Sequence, residues 1–121
     1  MTQSSAMIDR PKKLKAQFYE TPMGRKPVRD WLLELEDKDR RSIGFDIQTV
    51  EFGWPVGMPT CKPLGNGLWE VRSNLSDGKI GRVIFCMKGD AMVLLHGFIK
   101  KTQKTTLQDI DLAEKRRKEI E

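Results

Sequence analysis

The sequence predicts a single α+β domain in which a small antiparallel sheet carries an α-helical hairpin and a C-terminal helix. Within residues 68–99, three apolar segments alternate with period two between short turn sequences, which is typical of a strand meander. Ahead of them, apolar residues recur at helical spacing within residues 27–53. The 121 residues, 38% of them hydrophobic, suffice for one compact core. We therefore expect one domain over residues 1–121, with residues 1–13 as a flexible arm.

The first predicted elements are a short strand and two helices. Residues 14–20 alternate as a strand, which we expect beside the sheet or at its edge as a fourth strand. The two helices follow, with Pro27 at the first helical position and Gly53 at the end of the second. Their inward stripes are Val28, Trp31, Leu32 and Leu35, then Ile43, Ile47 and Val50. Residues 53–67 are rich in proline and glycine and are predicted to form a connecting loop.

The meander and the last helix complete the predicted fold. The three strands of the meander cover residues 68–75, 82–87 and 92–99. The third strand is the most apolar and is expected at the centre of the sheet. Strict alternation places His96 on the same face of this strand as Leu94 and Phe98. Thr105 and Gln108 have capping-box spacing and predict the start of a C-terminal helix.

Charge and cysteine usage narrow the function classes. The net charge is +5, and residues 61–105 contain eight Lys or Arg against three acids, which favours an anionic partner, nucleic acid ahead of membrane. Cys61 and Cys86 lack the spacing of a zinc site or a disulfide framework. No signal peptide is visible, so we expect a cytoplasmic protein. We also expect that it needs neither a metal nor a cofactor.

Several cationic side chains follow the predicted strands. Arg72 lies in the middle of one strand, Arg82 begins the next, and Lys100 and Lys101 end the third. A guanidinium inside a sheet needs a carboxylate, a groove open to solvent or an anionic ligand. Pairing with Glu70 across the strands is one reading, and a phosphate-binding surface is the other.

His96 is the only histidine of the chain, and two roles are open for it. Its unperturbed pKa suits proton transfer near neutral pH, but a lone histidine between Leu95 and Gly97 also fits a hydrogen-bonded core residue. A small basic protein without a nucleophile motif or a phosphate loop can still promote attack of an RNA 2′-hydroxyl on its neighbouring phosphate. That reaction asks only for a base, an acid and fixed cations.

Four sequence runs resemble the RelE/HigB-type toxins of bacterial toxin–antitoxin pairs, and more narrowly the phage-derived branch of that superfamily. They are LWEVR at 68–72, the pair Arg82-Val83, LLHGFIKKTQKT at 94–105 and DLAEKR at 111–116. The similarity extends from about residue 18 to the C-terminus. It departs at several positions. A tyrosine near the C-terminus is frequent in the superfamily, whereas the only tyrosine here is Tyr19. An aromatic often seen after the Arg-Val pair is replaced within residues 84–86, and Thr106 stands where a proline is common.

The resemblance implies a RelE-like fold and a ribosome-dependent mRNA endoribonuclease that inhibits translation. It also implies a cognate antitoxin, usually a helix-turn-helix protein encoded next to the toxin gene. Carried onto this sequence, it assigns Arg72 and Arg82 to transition-state charge and His96 to proton transfer. The residues implied to bind RNA are Lys62, Lys100, Lys101 and Lys104. Two alternatives stay open, namely a ParE-like toxin that binds DNA gyrase and a non-catalytic nucleic-acid-binding regulator.

Overall fold

A five-stranded mixed sheet lies between two helices on one face and one helix on the other. The computed structural model describes residues 11–120. The strands are β1 (Lys15–Phe18), β2 (Cys61–Gly65), β3 (Leu68–Asn74), β4 (Ile80–Lys88) and β5 (Ala91–Lys100). The helices are α1 (Pro27–Glu34), α2 (Asp37–Gly53) and α3 (Leu107–Glu119), with a single 3₁₀ turn at Ser76–Gly78. The α+β class is as predicted.

The order and direction of the strands correct the predicted four-stranded antiparallel sheet. The order is β1-β5-β4-β3-β2, so β4 rather than β5 is the central strand. β1 pairs with β5 in parallel, whereas the other neighbours are antiparallel. A parallel neighbour needs a long crossover, and here the helical hairpin supplies it together with the meander.

β2 lies within the segment predicted to be a loop. It pairs with β3 at the edge of the sheet, with a register irregularity between Pro63 and Gly65. Proline has no N–H to donate, but an edge strand has one side without a partner strand and so accommodates it. Because proline and glycine interrupt the hydrophobic period, the sequence pattern does not predict this strand.

Each face of the sheet has its own buried cluster. The hairpin face buries Leu14, Val28, Ile43, Ile47, Val50, Cys61, Val71, Val83, Phe85, Met92 and Leu94. The α3 face buries Tyr19, Leu68, Ile84, Cys86, Ala91, Val93, Leu95, Phe98 and Ala113. The hairpin therefore packs on one face, as predicted, and the C-terminal helix covers the other.

A β-bulge in β5 changes which face His96 occupies. Ile84 is opposite His96, but the next residue of β4, Phe85, is opposite Leu94, so Leu95 is the extra residue. The predicted alternation, which put Leu94, His96 and Phe98 on one face, is therefore wrong. Leu94 packs in the hairpin cluster, while Phe98 packs on the α3 face and stacks on the His96 ring.

Part of the predicted flexible arm lies outside the described residues, namely residues 1–10. The rest of it is attached to α2. The backbone N–H of Lys13 donates to the carbonyl of Glu51 at 2.8 Å, and the Lys12 ammonium pairs with the Glu51 carboxylate at 3.1 Å. These contacts carry the chain into β1, whose Ala16 N–H donates to the same carboxylate.

Candidate nucleic-acid interface

Most of the predicted site residues lie on the α3 face of the sheet. Arg72 and Arg82 are directly opposite each other on β3 and β4, and Arg82 is opposite Phe98 on β5. The bulge adds His96 to this face. The sheet register thus brings the two arginines together, as the sequence predicted, beneath the segment that joins β5 to α3.

Arg82 is enclosed completely, with 0% of the residue exposed. Its guanidinium donates to the carbonyl of Thr102 and, at 3.3 Å, to the hydroxyl of Thr105. The Arg82 Nε has no hydrogen-bond partner, and the guanidinium lies 5.9 Å from the centre of the Phe98 ring. Burial lowers the pKa of Arg82, although the charge of Glu70 counteracts this. In this arrangement Arg82 supports the segment above it and does not face solvent.

Arg72 makes a similar set of contacts but reaches the surface. Its Nε donates to the Glu70 carboxylate at 2.8 Å, and its two Nη atoms donate to the side chain and the backbone carbonyl of Gln103. About 10% of the Arg72 side chain is exposed. The sequence left two readings open for the arginines. Arg72 does pair with Glu70, but both residues belong to β3, so this pair does not cross between strands as predicted.

The end of β5 and the residues that follow it carry three lysines, two of them exposed. We call residues 100–104 the basic segment, because they include Lys100, Lys101 and Lys104. Lys101 and Lys104 are exposed, whereas the Lys100 ammonium contacts the Asp109 carboxylate at 2.9 Å. Arg72 and Arg82 donate hydrogen bonds to consecutive backbone carbonyls, those of Gln103 and Thr102. The two guanidinium groups therefore hold this segment against the sheet.

Glu70 anchors the same segment from below. Its carboxylate is 0% exposed and accepts hydrogen bonds from Arg72 and, at 2.5 Å, from the hydroxyl of Thr105. Thr105 was predicted to cap α3, and this is wrong by one residue: the N-cap is Thr106, whose hydroxyl accepts from the Asp109 N–H at 3.3 Å. Thr105 faces inward because the Glu70 carboxylate requires a donor there.

His96 is held by Asp109 at the start of α3. Its Nε2 lies 2.9 Å from the Asp109 carboxylate, and its ring stacks on Phe98 with 5.1 Å between ring centres. Burial lowers the pKa of His96 despite the attraction of Asp109. Burial raises the pKa of Asp109, but hydrogen bonds from Thr106, Lys100 and His96 outweigh it and bring that pKa to about 2. An ionised Asp109 accepts a hydrogen bond from the Nε2–H group, so the basic nitrogen of a neutral His96 is Nδ1.

A cleft of about 200 Å³ opens beside Arg72. Gln103 forms one side of it, and residues 58–60, before β2, form another. Lys62 lies further along β2, opposite Glu70 in the sheet register, and is half-buried. Of the cations predicted to bind RNA, Lys101 and Lys104 are therefore on the open surface, while Lys62 and Lys100 are partly covered.

Sequence reasoning did not select Thr105, Thr106 or Asp109 for the site. Glu70 was considered only as a carboxylate that pairs with the arginines. One local signal could have found two of these: Thr106 and Asp109 have the spacing of a capped first helical turn. The contact between His96 and Asp109 has no such signal, because it depends on the bulge in β5.

None of the helices within residues 11–120 is long and apolar enough to cross a membrane. In the same part of the chain, no group of three or more His, Cys, Asp or Glu side chains is placed to hold a metal ion.

Comparison with known proteins identifies a family. Residues 30–118 match the family described as Phage derived protein Gp49-like (DUF891). No curated protein matches the sequence. The matched segment runs from α1 to the last turn of α3 and includes both arginines, His96 and the basic segment. The chain therefore belongs to the phage-derived Gp49-like family, a family of toxin–antitoxin toxins related to RelE and ParE.

Proposed function

We propose that this chain is the toxin of a type II toxin–antitoxin pair and that it cleaves mRNA on the ribosome, as RelE/HigB-type toxins do. The observation that carries the proposal is the basic segment, whose exposed Lys101 and Lys104 are held beside the Arg72 cleft by two arginine-to-carbonyl contacts. Cations fixed in advance on a sheet stabilise charge that develops on a phosphoryl group without reorganising during the reaction.

The proposed reaction is attack of a ribose 2′-oxygen on the adjacent phosphorus. The P–O5′ bond breaks, and a 2′,3′-cyclic phosphate and a 5′-hydroxyl are formed. One group must accept the 2′-hydroxyl proton, and one must protonate the leaving oxygen. We assign proton transfer to His96 through Nδ1, because Asp109 occupies Nε2 and fixes the orientation of the ring.

The cations have different parts in this proposal. Lys101 and Lys104 bind the RNA backbone, and Arg72 contacts the reacting phosphate once its longest contact, 3.3 Å to the Gln103 side chain, gives way. Arg82 contributes its charge from beneath the segment, since its guanidinium is enclosed. Lys62 and Lys100 extend the positive surface on either side.

The test is to express the chain alone in a bacterial host and to map mRNA 5′ ends while following translation and DNA supercoiling. New 5′ ends within translated codons, which disappear when translation initiation is blocked, are the expected result. Intact mRNA with DNA breaks or altered supercoiling would instead identify a ParE-like action on gyrase. If expression does not impair growth, the remaining alternative is a non-catalytic nucleic-acid-binding regulator.

Paired variants connect the result to the site. Lys101→Ala combined with Lys104→Ala should reduce cleavage by at least tenfold, because two backbone contacts are lost. The matched control is Lys26→Ala combined with Lys38→Ala, which removes the same charge from exposed positions in and near the helical hairpin. Equal loss in both double variants would show that only net charge matters. Co-expression of the product of the neighbouring gene should restore growth if it is the antitoxin.

A further inference from the structure

A groove crosses the surface where α2 meets the ends of β3 and β4. It consists of the cleft beside Arg72 and a shallower depression along α2, and the two share Asp46 and Asn74. We call the combined feature the α2 groove. Its cleft end reaches Arg72 and Gln103, and its other end reaches Arg41.

Two large apolar side chains border this groove and are exposed. Phe45 is 69% exposed and Met58 is 58% exposed, whereas the inward residues of α2 are buried. Ile43 and Ile47, two positions away on either side of Phe45, are 1% and 7% exposed. Phe45 therefore points away from the core, and its ring contributes little to holding α2 on the sheet.

Polar groups separate the two apolar side chains within the groove. Asp46 and Asn74 lie between the Phe45 end and the Met58 end, and each offers hydrogen-bonding atoms. A helix or strand of a protein partner docks best on a continuous apolar stripe. A flat aromatic surface beside an amide, a carboxylate and an arginine instead has the features that recognise one unpaired nucleotide.

We propose that the α2 groove binds one unpaired base of a single-stranded RNA whose neighbouring phosphate lies at Arg72. The base stacks on Phe45, and the Asp46 carboxylate accepts a hydrogen bond from an exocyclic amino group on its edge. Such a pocket disfavours phosphate next to Asp46 and so sets the direction of the strand across the groove. The inference rests on the proposed RNA-cleaving function, to which it adds a base-binding subsite.

Binding of short RNA to the purified protein tests this subsite without requiring cleavage or ribosomes. The probe is a labelled eight-nucleotide single-stranded RNA of mixed sequence, together with versions that carry one abasic nucleotide at successive positions. Phe45→Leu keeps an apolar side chain but removes the aromatic face. We expect it to weaken RNA binding on the order of tenfold, whereas Phe45→Tyr should bind as the native protein does.

The abasic probes identify the partner of the ring. One abasic position should weaken binding to the native protein at least as much, and it should cause a smaller loss in Phe45→Leu than in the native protein, because the stacking contact is already absent there. Asp46→Asn should weaken binding of probes with adenine, cytosine or guanine at that position more than binding of the uracil probe. Phe18→Leu, on the opposite edge strand β1, is the matched control and should leave RNA binding unchanged.

The results separate this inference from the proposed function. Coupling between Phe45 and one base would support the subsite even if no mRNA cleavage occurs in cells, and that absence would overturn only the nuclease. Losses that simply add would overturn the subsite. Unchanged RNA binding by Phe45→Leu would also overturn the subsite. If Phe45→Leu bound RNA normally but failed to bind the antitoxin, the groove would be a protein-docking surface. Thermal unfolding of each variant verifies that it is folded.

Discussion

At the scale of single residues, the guanidinium of Arg82 determines how the basic segment lies. It is buried among Thr102, Thr105 and Phe98, and the charge of the Glu70 carboxylate attracts it. Burying a charge is unfavourable unless hydrogen bonds and an opposite charge compensate. Arg82 therefore links the stability of the fold to the position of the lysines.

Replacing Arg82 by methionine should destabilise the protein by about 3 kcal/mol, because it removes the hydrogen bonds to the segment and leaves Glu70 with less compensating charge. Urea unfolding measures the change. The matched control is Arg41→Met, whose native side chain is 81% exposed and whose effect should stay within about 0.5 kcal/mol. A loss of RNA cleavage without a loss of stability would instead argue that Arg82 contacts the phosphate directly.

Gly97 is a second residue whose identity depends on a tertiary contact. A Cβ there would lie 2.4 Å from Cε3 of Trp31, so the α1 indole packs directly on the β5 backbone. Gly97→Ala should lower stability by about 2 kcal/mol through overpacking, as measured by thermal or urea unfolding. Gly44→Ala on α2 meets nothing within 4 Å and should instead raise stability by up to about 1 kcal/mol. Equal effects at both positions would contradict this packing.

At the scale of elements, α3 and the bulge in β5 form the His96 environment together. The first turn of α3 presents Asp109 to His96 and to Lys100, and Thr106 caps that turn. The bulge turns His96 towards it. Neither element alone places the histidine beside a carboxylate.

Removing the cap with Thr106→Ala should destabilise the protein by about 1 kcal/mol and should loosen the first turn of α3. Hydrogen exchange should then be faster for amides at the start of α3 than for those of β4. Leu107→Ala, one residue further on, is the control, because Leu107 is 75% exposed and contributes little packing. If the Leu107 variant accelerated exchange equally, the cap would not be the cause.

At the scale of the whole molecule, stability should fall in acid in two steps. The pKa of Asp109 is about 2 when folded against a usual value of 3.8, so its contribution of about 2 kcal/mol is present above pH 4 and is lost as the pH falls towards 2. The pKa of His96 is lowered from 6.5 by burial. The unfolded chain therefore binds the His96 proton first, and stability also falls as the pH drops below 6.5.

Urea unfolding across this pH range, repeated with variants, assigns each step. Asp109→Asn should flatten the curve between pH 4 and 2, and His96→Gln should flatten it just below pH 6.5. The exposed Asp111→Asn should retain both steps. An unchanged slope below pH 6.5 in His96→Gln would show that the histidine is not the group that titrates there.

The sequence by itself determined the elements whose period is strong. The hairpin stripes, the three meander strands and the residues that share each face of β3 and β4 follow from local spacing, and the structure confirms them. The sequence also predicted that Arg72 and Arg82 lie near each other, but their direct pairing depends on the strand register, which the structure supplies.

Only the tertiary structure decided the features that depend on contacts between distant residues. The β2 strand exists because β3 offers it a partner despite Pro63, and β1 lies parallel to β5 because of a crossover that no local pattern encodes. The extra residue at Leu95 moved His96 to the α3 face. Since a one-residue shift reverses every side chain that follows, the contact between His96 and Asp109 in this toxin-family protein was decided by one bulge.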